Sequence, residues 1–282
     1  MKTGPTTRRR QLGATLRKLR ERKGMTLEEA GKLVGVSKAT ISRYETKDGP
    51  VRWPVVDALC REYEATEAER AAVVSWAKAA REQGWWTSFG GPLPETLNFL
   101  LTLEDEAARE DHFATIYVPG LLQTPGYIKA VIQASETRYS ADEVDRQVAI
   151  RMKRQEILHR AQPPHLWAVL DESVVRRVVG GPDVMRAQLT HLADCTESPN
   201  ITIQIFPFAT GAHATAMGSF VILGGPEASM DVVYVDFHTG ALFLETEEEL
   251  ATYRGAFDYL RARALSPAES LAAIHRARKE MQ

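Results

Sequence analysis

The chain has 282 residues, 44% of them hydrophobic, and a formal net charge of −2, enough for two ordinary domains with a sizeable core. Its two cysteines, Cys60 and Cys195, stand far apart without metal-ligand spacing, which excludes a disulfide framework and points to a reducing, cytoplasmic setting. No apolar run approaches the roughly 18 residues of a membrane span, and no apolar core follows the basic N-terminus as in a secretory signal, so the expectation is a cytoplasmic protein with no membrane partner. The near-neutral total hides an asymmetry. Residues 1–50 carry 13 Lys or Arg against 5 Asp or Glu, a net of +8, and the remainder carries 22 against 32, a net of −10. A basic head on an acidic body is the distribution of a polyanion binder with a separate second domain.

In chain order, Leu12, Leu16 and Leu19 predict a first helix from about Arg8 to Arg22, with Arg8, Arg9 and Arg10 either opening a DNA-facing surface or forming a frayed arm. Thr26 and Glu29 make a T-x-x-E capping box. Leu27, Ala30, Leu33 and Val34 then follow at helical spacing on one face. Gly35 is placed to end that helix in a left-handed conformation. Ser37 caps the next helix, whose Ile41 and Tyr44 point inward and whose Lys38, Ala39, Thr40, Ser42 and Arg43 lie on or near the outer face. A short helix braced by a partner, carrying small, polar and basic residues outward, fits a DNA major groove. The sequence at 47–50, Lys-Asp-Gly-Pro, signals a turn. Pro54 opens a fourth helix with Val55, Val56, Leu59 and Tyr63 inside, and Thr66 with Glu69 caps a fifth with Val73, Trp76, Ala77 and Ala80 inside.

The first 50 residues also resemble a known family. LRKLR at 16–20, GMTLEEA at 24–30 and GVSKATISRYE at 35–45 are similar to the lambda-repressor-like, or xenobiotic-response-element, helix-turn-helix domain. That resemblance implies a pairing of Arg20 with Glu45, and backbone contacts to DNA from Arg17 and Lys18 of the first helix. The residues themselves supply the other candidates. Thr26, Ser37 and the open amides at the two helix starts suit phosphates. Lys38, Ala39, Thr40 and Arg43 suit base edges, Arg43 because its fork matches the two acceptors of guanine, and the methyls of Ala39 and Thr40 because they match that of thymine. Ser42 is either a contact or a packed surface residue. One such helix spans too few base pairs to select a genomic site, so a homodimer on double-stranded DNA with two half-sites is expected.

Residues 84–98, GWWTSFGGPLPETLN, break the periodicity and read as a linker in which Trp85 and Trp86 dock on a domain or serve a partner. Helices are then expected at about 96–110, from a turn near 119–127 to about 134, at 141–160, 182–197, 247–264 and 267–281. Strands are expected at 112–118, 165–170, 201–206, 219–223, 231–236 and 241–245. The Gly-Gly-Pro triplets at 90–92, 180–182 and 224–226 have unequal spacing and mark loops rather than a repeat. The expected fold class is multidomain: an all-α five-helix DNA-binding domain over 1–83, a linker over 84–98, and an α+β domain with a mixed or largely antiparallel sheet over 99–282.

VPGLLQTPGY at 118–127, RMKRQEIL at 151–158, PPHLWAVLDES at 163–173, GGPDVMRAQLTHL at 180–192 and ALSPAES at 264–270 resemble one further family. It is a C-terminal domain of uncertain function that follows lambda-repressor-like heads in actinomycete antitoxin-like transcriptional regulators. The resemblance implies a small partner protein encoded nearby.

Enzyme signatures are missing: no G-x-x-x-x-G-K-[ST], H-E-x-x-H or G-x-S-x-G occurs. The seven histidines are scattered without metal-ligand spacing, although His238 stands near Asp236 and His213 follows Pro207 and Phe208. Asp171 and Glu172 end a strand, where carboxylates serve either function or helix capping, and capping is the preferred reading. Arg151, Arg154 and Gln155 on neighbouring helical faces either receive an acidic ligand or, as preferred, pair with acids of this domain. The expectation is a non-enzymatic, cofactor-free DNA-binding regulator modulated by a small partner protein. A ligand-responsive regulator is the alternative, and a DNA-tethered enzyme is a distant third.

Overall fold

The computed structural model describes residues 7–46, 51–79, 89, 93–135, 138–213, 215, 218–225, 231–238 and 240–281. They divide into two compact units, Met1–Leu103 and Glu104–Gln282. The turn expected at 47–50, the Trp85–Trp86 pair and Ala80 lie outside the described residues.

The first unit opens with five helices: α1 (Thr7–Arg22), α2 (Leu27–Leu33), α3 (Lys38–Thr46), α4 (Trp53–Glu62) and α5 (Glu67–Ala79). Leu12, Leu16 and Leu19 of α1 meet Ala30, Ile41, Tyr44, Val56, Leu59, Tyr63, Val73 and Ala77 in one buried core, so the apolar spacing that makes each segment helical also makes the helices converge. Three local signals act as the sequence predicts. Thr26 and Glu29 form a reciprocal capping box on α2. Gly35 turns the chain at φ +69°, where a side chain is strained. Thr66 and Glu69 repeat the capping box before α5, at 3.2 and 2.8 Å. One inner-face expectation fails. Leu33 is 50% exposed, because the short α2 turns its smallest residues, Ala30 and Gly31, inward, while Val34 packs on the core.

The helix that follows, α6 (Glu95–Glu106), ends at Glu106 rather than near 110. The second unit is built on a six-stranded sheet of β1 (Arg109–Ala114), β2 (His165–Asp171), β3 (Ile201–Phe206), β4 (Phe220–Gly224), β5 (Val232–Phe237) and β6 (Gly240–Leu244), in the order β3-β2-β1-β4-β5-β6. β1 pairs in parallel with β2, and β2 with β3. The β1–β4, β4–β5 and β5–β6 pairs are antiparallel. The sheet is therefore mixed, and the reason is in the connections. Helices α7 (Pro125–Gln133) and α8 (Ala141–Gln155) return the chain from β1 to β2, and α9 (Glu172–Arg176) and α10 (Pro182–Cys195) return it from β2 to β3. The later strands are joined by shorter connections, as antiparallel neighbours can be.

α11 (Glu247–Arg263) covers one face of the sheet, where its Leu250, Phe257 and Leu260 pack on Phe113, Val169, Ile222 and Val233. On the other face Leu166, Ala168 and Ile203 meet Leu189 and Leu192 of α10 and Ile274 of α12 (Pro267–Glu280). The strand expected at 112–118 is observed at Arg109–Ala114. Ile116 and Tyr117, which drew the expectation C-terminal, are 51% and 41% exposed. β1 instead runs through Glu110, Asp111 and His112, all buried because β2 and β4 flank the strand on both sides.

Candidate nucleic-acid interface

The orientation of α3 is set from below. Arg20 of α1 donates from Nε and Nη2 to the two carboxylate oxygens of Glu45, at 2.7 and 2.9 Å, and from Nη1 to the Met25 carbonyl at 2.6 Å. The Glu45 side chain is only 3% exposed, and its hydrogen bond holds the Arg20 guanidinium firmly charged. The Tyr44 hydroxyl accepts the backbone N–H of Arg52 at 3.1 Å, tying the end of α3 to the start of α4. Gly13 brings α1 against α3. A Cβ there would lie 2.7 Å from the Glu45 carbonyl oxygen and 3.0 Å from that of Tyr44.

With Ile41, Tyr44 and Glu45 buried, α3 presents its other side to solvent. Ser37, Lys38, Ala39 and Arg43 are exposed, and Thr40 and Ser42 are half-buried. Three of these are linked along that side. Ser37 Oγ accepts the Thr40 N–H at 3.1 Å and lies 3.0 Å from Thr40 Oγ1, which in turn accepts from Arg43 Nη2 at 3.3 Å. The outer face is thus a short row of hydroxyls ending in a guanidinium, with the Lys38 ammonium and the Ala39 methyl beside it. Arg17 and Lys18 are exposed on α1, with Arg17 Nε donating to Glu21 at 2.8 Å. The Thr26 hydroxyl is engaged locally: it accepts the Glu29 N–H at 3.2 Å and donates to Glu29 Oε2 at 2.8 Å.

In the second unit the strand-end carboxylates have structural partners. Asp171 accepts the Ser173 N–H at 2.9 Å and caps α9, and Glu172 accepts the Phe208 N–H at 3.0 Å and Arg176 Nε at 3.2 Å. His213 stacks edge-on against Phe113 and Phe206, and its Nδ1 lies 2.9 Å from Thr215 Oγ1. Among the described residues no three His, Cys, Asp or Glu side chains group as metal ligands. The α8 residues divide. Arg154 grips Glu104 with both arms of its fork, one at 2.6 Å, and Gln155 donates to the carbonyls of Gly120 and Gln123 at 2.9 and 2.7 Å. Among the described residues Arg151 has one hydrogen bond, to the side-chain oxygen of Gln123 at 3.3 Å.

One cluster was not anticipated. The Glu110 Oε2 and His112 Nε2 atoms are 2.8 Å apart on one face of β1, and Glu110 Oε1 is buried without a hydrogen-bond partner among the described residues. Burial pushes the Glu110 carboxyl up to about 7 and the His112 imidazole down to about 4. The signal in the sequence is the alternation of Glu110, His112 and Ala114 in a strand whose intervening position, Phe113, is core.

Helices packed on one core, a glycine turn between the second and third, and an outward row of polar and basic groups on the third define a helix-turn-helix domain of the DNA-binding class. The helix-turn-helix domain family matches residues 11–73. The chain belongs to the family characterised by the domain of unknown function DUF5753, which matches residues 97–276. No curated protein and no solved structure matches it. No helix among the described residues is long and apolar enough to cross a membrane.

Proposed function

We propose that this chain is a sequence-specific transcriptional regulator of the lambda-repressor-like kind that reads double-stranded DNA with α3. The observation that carries the reading is the outward row of Lys38, Ala39, Thr40 and Arg43, held rigid from beneath by the Arg20–Glu45 pair. Arg43 and Lys38 address base edges, with Ala39 and Thr40 offering methyls to thymine. Arg17, Lys18, Ser37 and Ser42 contact the sugar-phosphate backbone. At Thr26 the phosphate contact falls to the open backbone amides of the α2 start, since the hydroxyl serves the cap.

Because one such helix spans only about four base pairs, the working form is a homodimer on an imperfect palindrome. The second domain is the regulatory part, antitoxin-like and answering to a small partner protein in the cytoplasm, without enzymatic activity of its own. Support for a regulatory rather than catalytic role comes from Asp171 and Glu172, whose carboxylates are spent on backbone N–H groups and Arg176. A second reading, regulation by a small molecule, is favoured by the incompletely partnered Arg151.

Genome-wide mapping of bound DNA tests the function directly. The expected result is a small set of sites sharing a two-fold symmetric sequence with half-sites about one helical turn apart. Binding that follows DNA concentration without sequence preference would overturn it.

A further inference from the structure

The two edges of the second-domain sheet are finished differently. At β3 the chain closes its own edge: the Ile205 N–H donates to Ser270 Oγ and the Ile205 carbonyl accepts the Leu265 N–H, both at 2.9 Å. β6 ends the sheet on the other side and is paired with β5 alone among the described strands. Its residues, Gly240, Ala241, Leu242, Phe243 and Leu244, include no charge and no proline, the devices that keep an open edge from pairing. Every second residue of such a strand turns its N–H and C=O away from its neighbour. At this edge stand two of the large apolar side chains that the domain leaves exposed, Phe237 at 45% and Leu242 at 42%. The register puts them on one face, with Leu242 opposite Val235 and Phe237 opposite Gly240. It is the face on which Val233 and Val235 meet α11.

An edge of this kind is completed by another strand, and the residues of β6 fit their own copy. An antiparallel pair about a two-fold axis at Leu242 is the one arrangement that pairs all five residues. It sets Gly240 opposite Leu244, Ala241 opposite Phe243 and Leu242 opposite itself, so a small side chain meets a large one on either side of the axis. No charge meets its own copy, since none lies in the strand. A Cβ at Gly240 would lie 3.9 Å from the Phe237 ring, so that ring borders the space beside the glycine. The two-fold places Leu244 of the partner subunit across from Gly240 and against the ring. We propose that β6 is the homodimer interface of this regulator: two copies pair antiparallel through β6 into one continuous sheet, which buries Phe237 and Leu242. This interface rests on the homodimer of the DNA reading, and its two-fold axis is the symmetry that a palindrome requires.

The test is sedimentation velocity of the full chain without DNA, over a concentration series reaching on the order of tens of micromolar. A reversible dimer is expected. Leu242→Lys and Leu242→Glu each set like charges across the axis and should weaken the dimer about tenfold or more. An equimolar mixture of the two should recover it, because opposite charges then face each other. Ile116→Lys, at another exposed apolar position, should leave dimerisation unchanged. If the charged variants do not fold, Leu242→Cys tests the same contact and should give a disulfide-linked dimer under mild oxidation in greater yield than the wild type. A wild-type monomer throughout, which leaves the edge to a strand of another protein, overturns the interface. So does wild-type dimerisation in both folded charged variants, or a mixture no more associated than its components. A monomer that still binds a two-fold symmetric operator overturns the interface and leaves the DNA reading standing. A β6 dimer that binds DNA without sequence preference does the reverse.

Discussion

Arg20 and Glu45 are 25 residues apart in sequence and joined by two parallel hydrogen bonds of 2.7 and 2.9 Å, so the last turn of α3 is fixed to α1 by a nearly closed ion pair. Taking away one partner strands the other's charge in a site with little water. Arg20→Ala and Glu45→Ala should each cost about 3 kcal/mol, with the arginine variant worse because it also releases the Met25 carbonyl. The double Arg20→Met/Glu45→Leu variant should be more stable than either single one. Urea melts followed by circular dichroism measure this, and simple additivity would show that the pair is not coupled.

Gly13→Ala probes the same interface by sterics. The added methyl meets backbone oxygens at 2.7 and 3.0 Å, atoms that move only if α3 moves. A loss of about 1–3 kcal/mol is expected, together with weaker operator binding, since the recognition helix is displaced. Thermal melts and a DNA titration on the same preparation check both effects.

Arg43→Ala leaves the fold intact, because the side chain is exposed. It should reduce specific DNA affinity by about 1–3 kcal/mol and relax the choice at one base pair. Lys38→Ala is expected to reduce the salt dependence by about one unit of slope if that ammonium sits on a phosphate instead. Fluorescence anisotropy at fixed and at varied salt separates the two. Unchanged affinity in the Arg43 variant would remove it from the interface.

Glu110 makes the stability of the second domain pH-dependent. Burial lifts its carboxyl to about 7 in the folded chain, against an ordinary value of 4.5. The folded state therefore binds more protons than the unfolded one between those limits, and stability falls as pH rises through that window. His112 works in the opposite sense. Its imidazole is held down at about 4 against 6.5, so its contribution grows as pH rises from 4 to 6.5. Glu110→Gln copies the protonated carboxyl and isolates the first effect. Relative to the wild type it should gain on the order of 2–3 kcal/mol between pH 4.5 and 7. Denaturant melts across that range measure it, and parallel stability curves would place the Glu110 proton elsewhere.

Much of the first domain was legible because its determinants are local. Capping boxes at Thr26 and Thr66, the left-handed Gly35 and the leucine spacing of α1 act within a few residues of themselves, so a linear reading finds them. Leu33 was misplaced because a two-turn helix carries too few residues to define its inner face by periodicity. In the second domain the late strands alternate in the sequence and were read near their true limits. β1 was displaced because its buried positions hold Glu110, Asp111 and His112, which hydropathy assigns to the surface. Of the site residues, the α3 row follows from helical geometry once Ile41 and Tyr44 are inside, whereas the Glu110–His112 contact and the different fates of Arg151 and Arg154 had no sequence signal of comparable strength.

By itself the sequence determined the five helices, the turn between α2 and α3, and which side of α3 faces outward, because hydrophobic periodicity and end-capping are short-range effects. Only the tertiary structure decided how the sheet is ordered, that Arg154 spends its charge on Glu104, and that Arg151 does not spend its own. The physical reason is that the state of a buried charge depends on what the fold brings within about 4 Å of it, and the partners here, Glu104 of α6 for Arg154 and Gln123 for Arg151, lie 50 and 28 residues away along the chain.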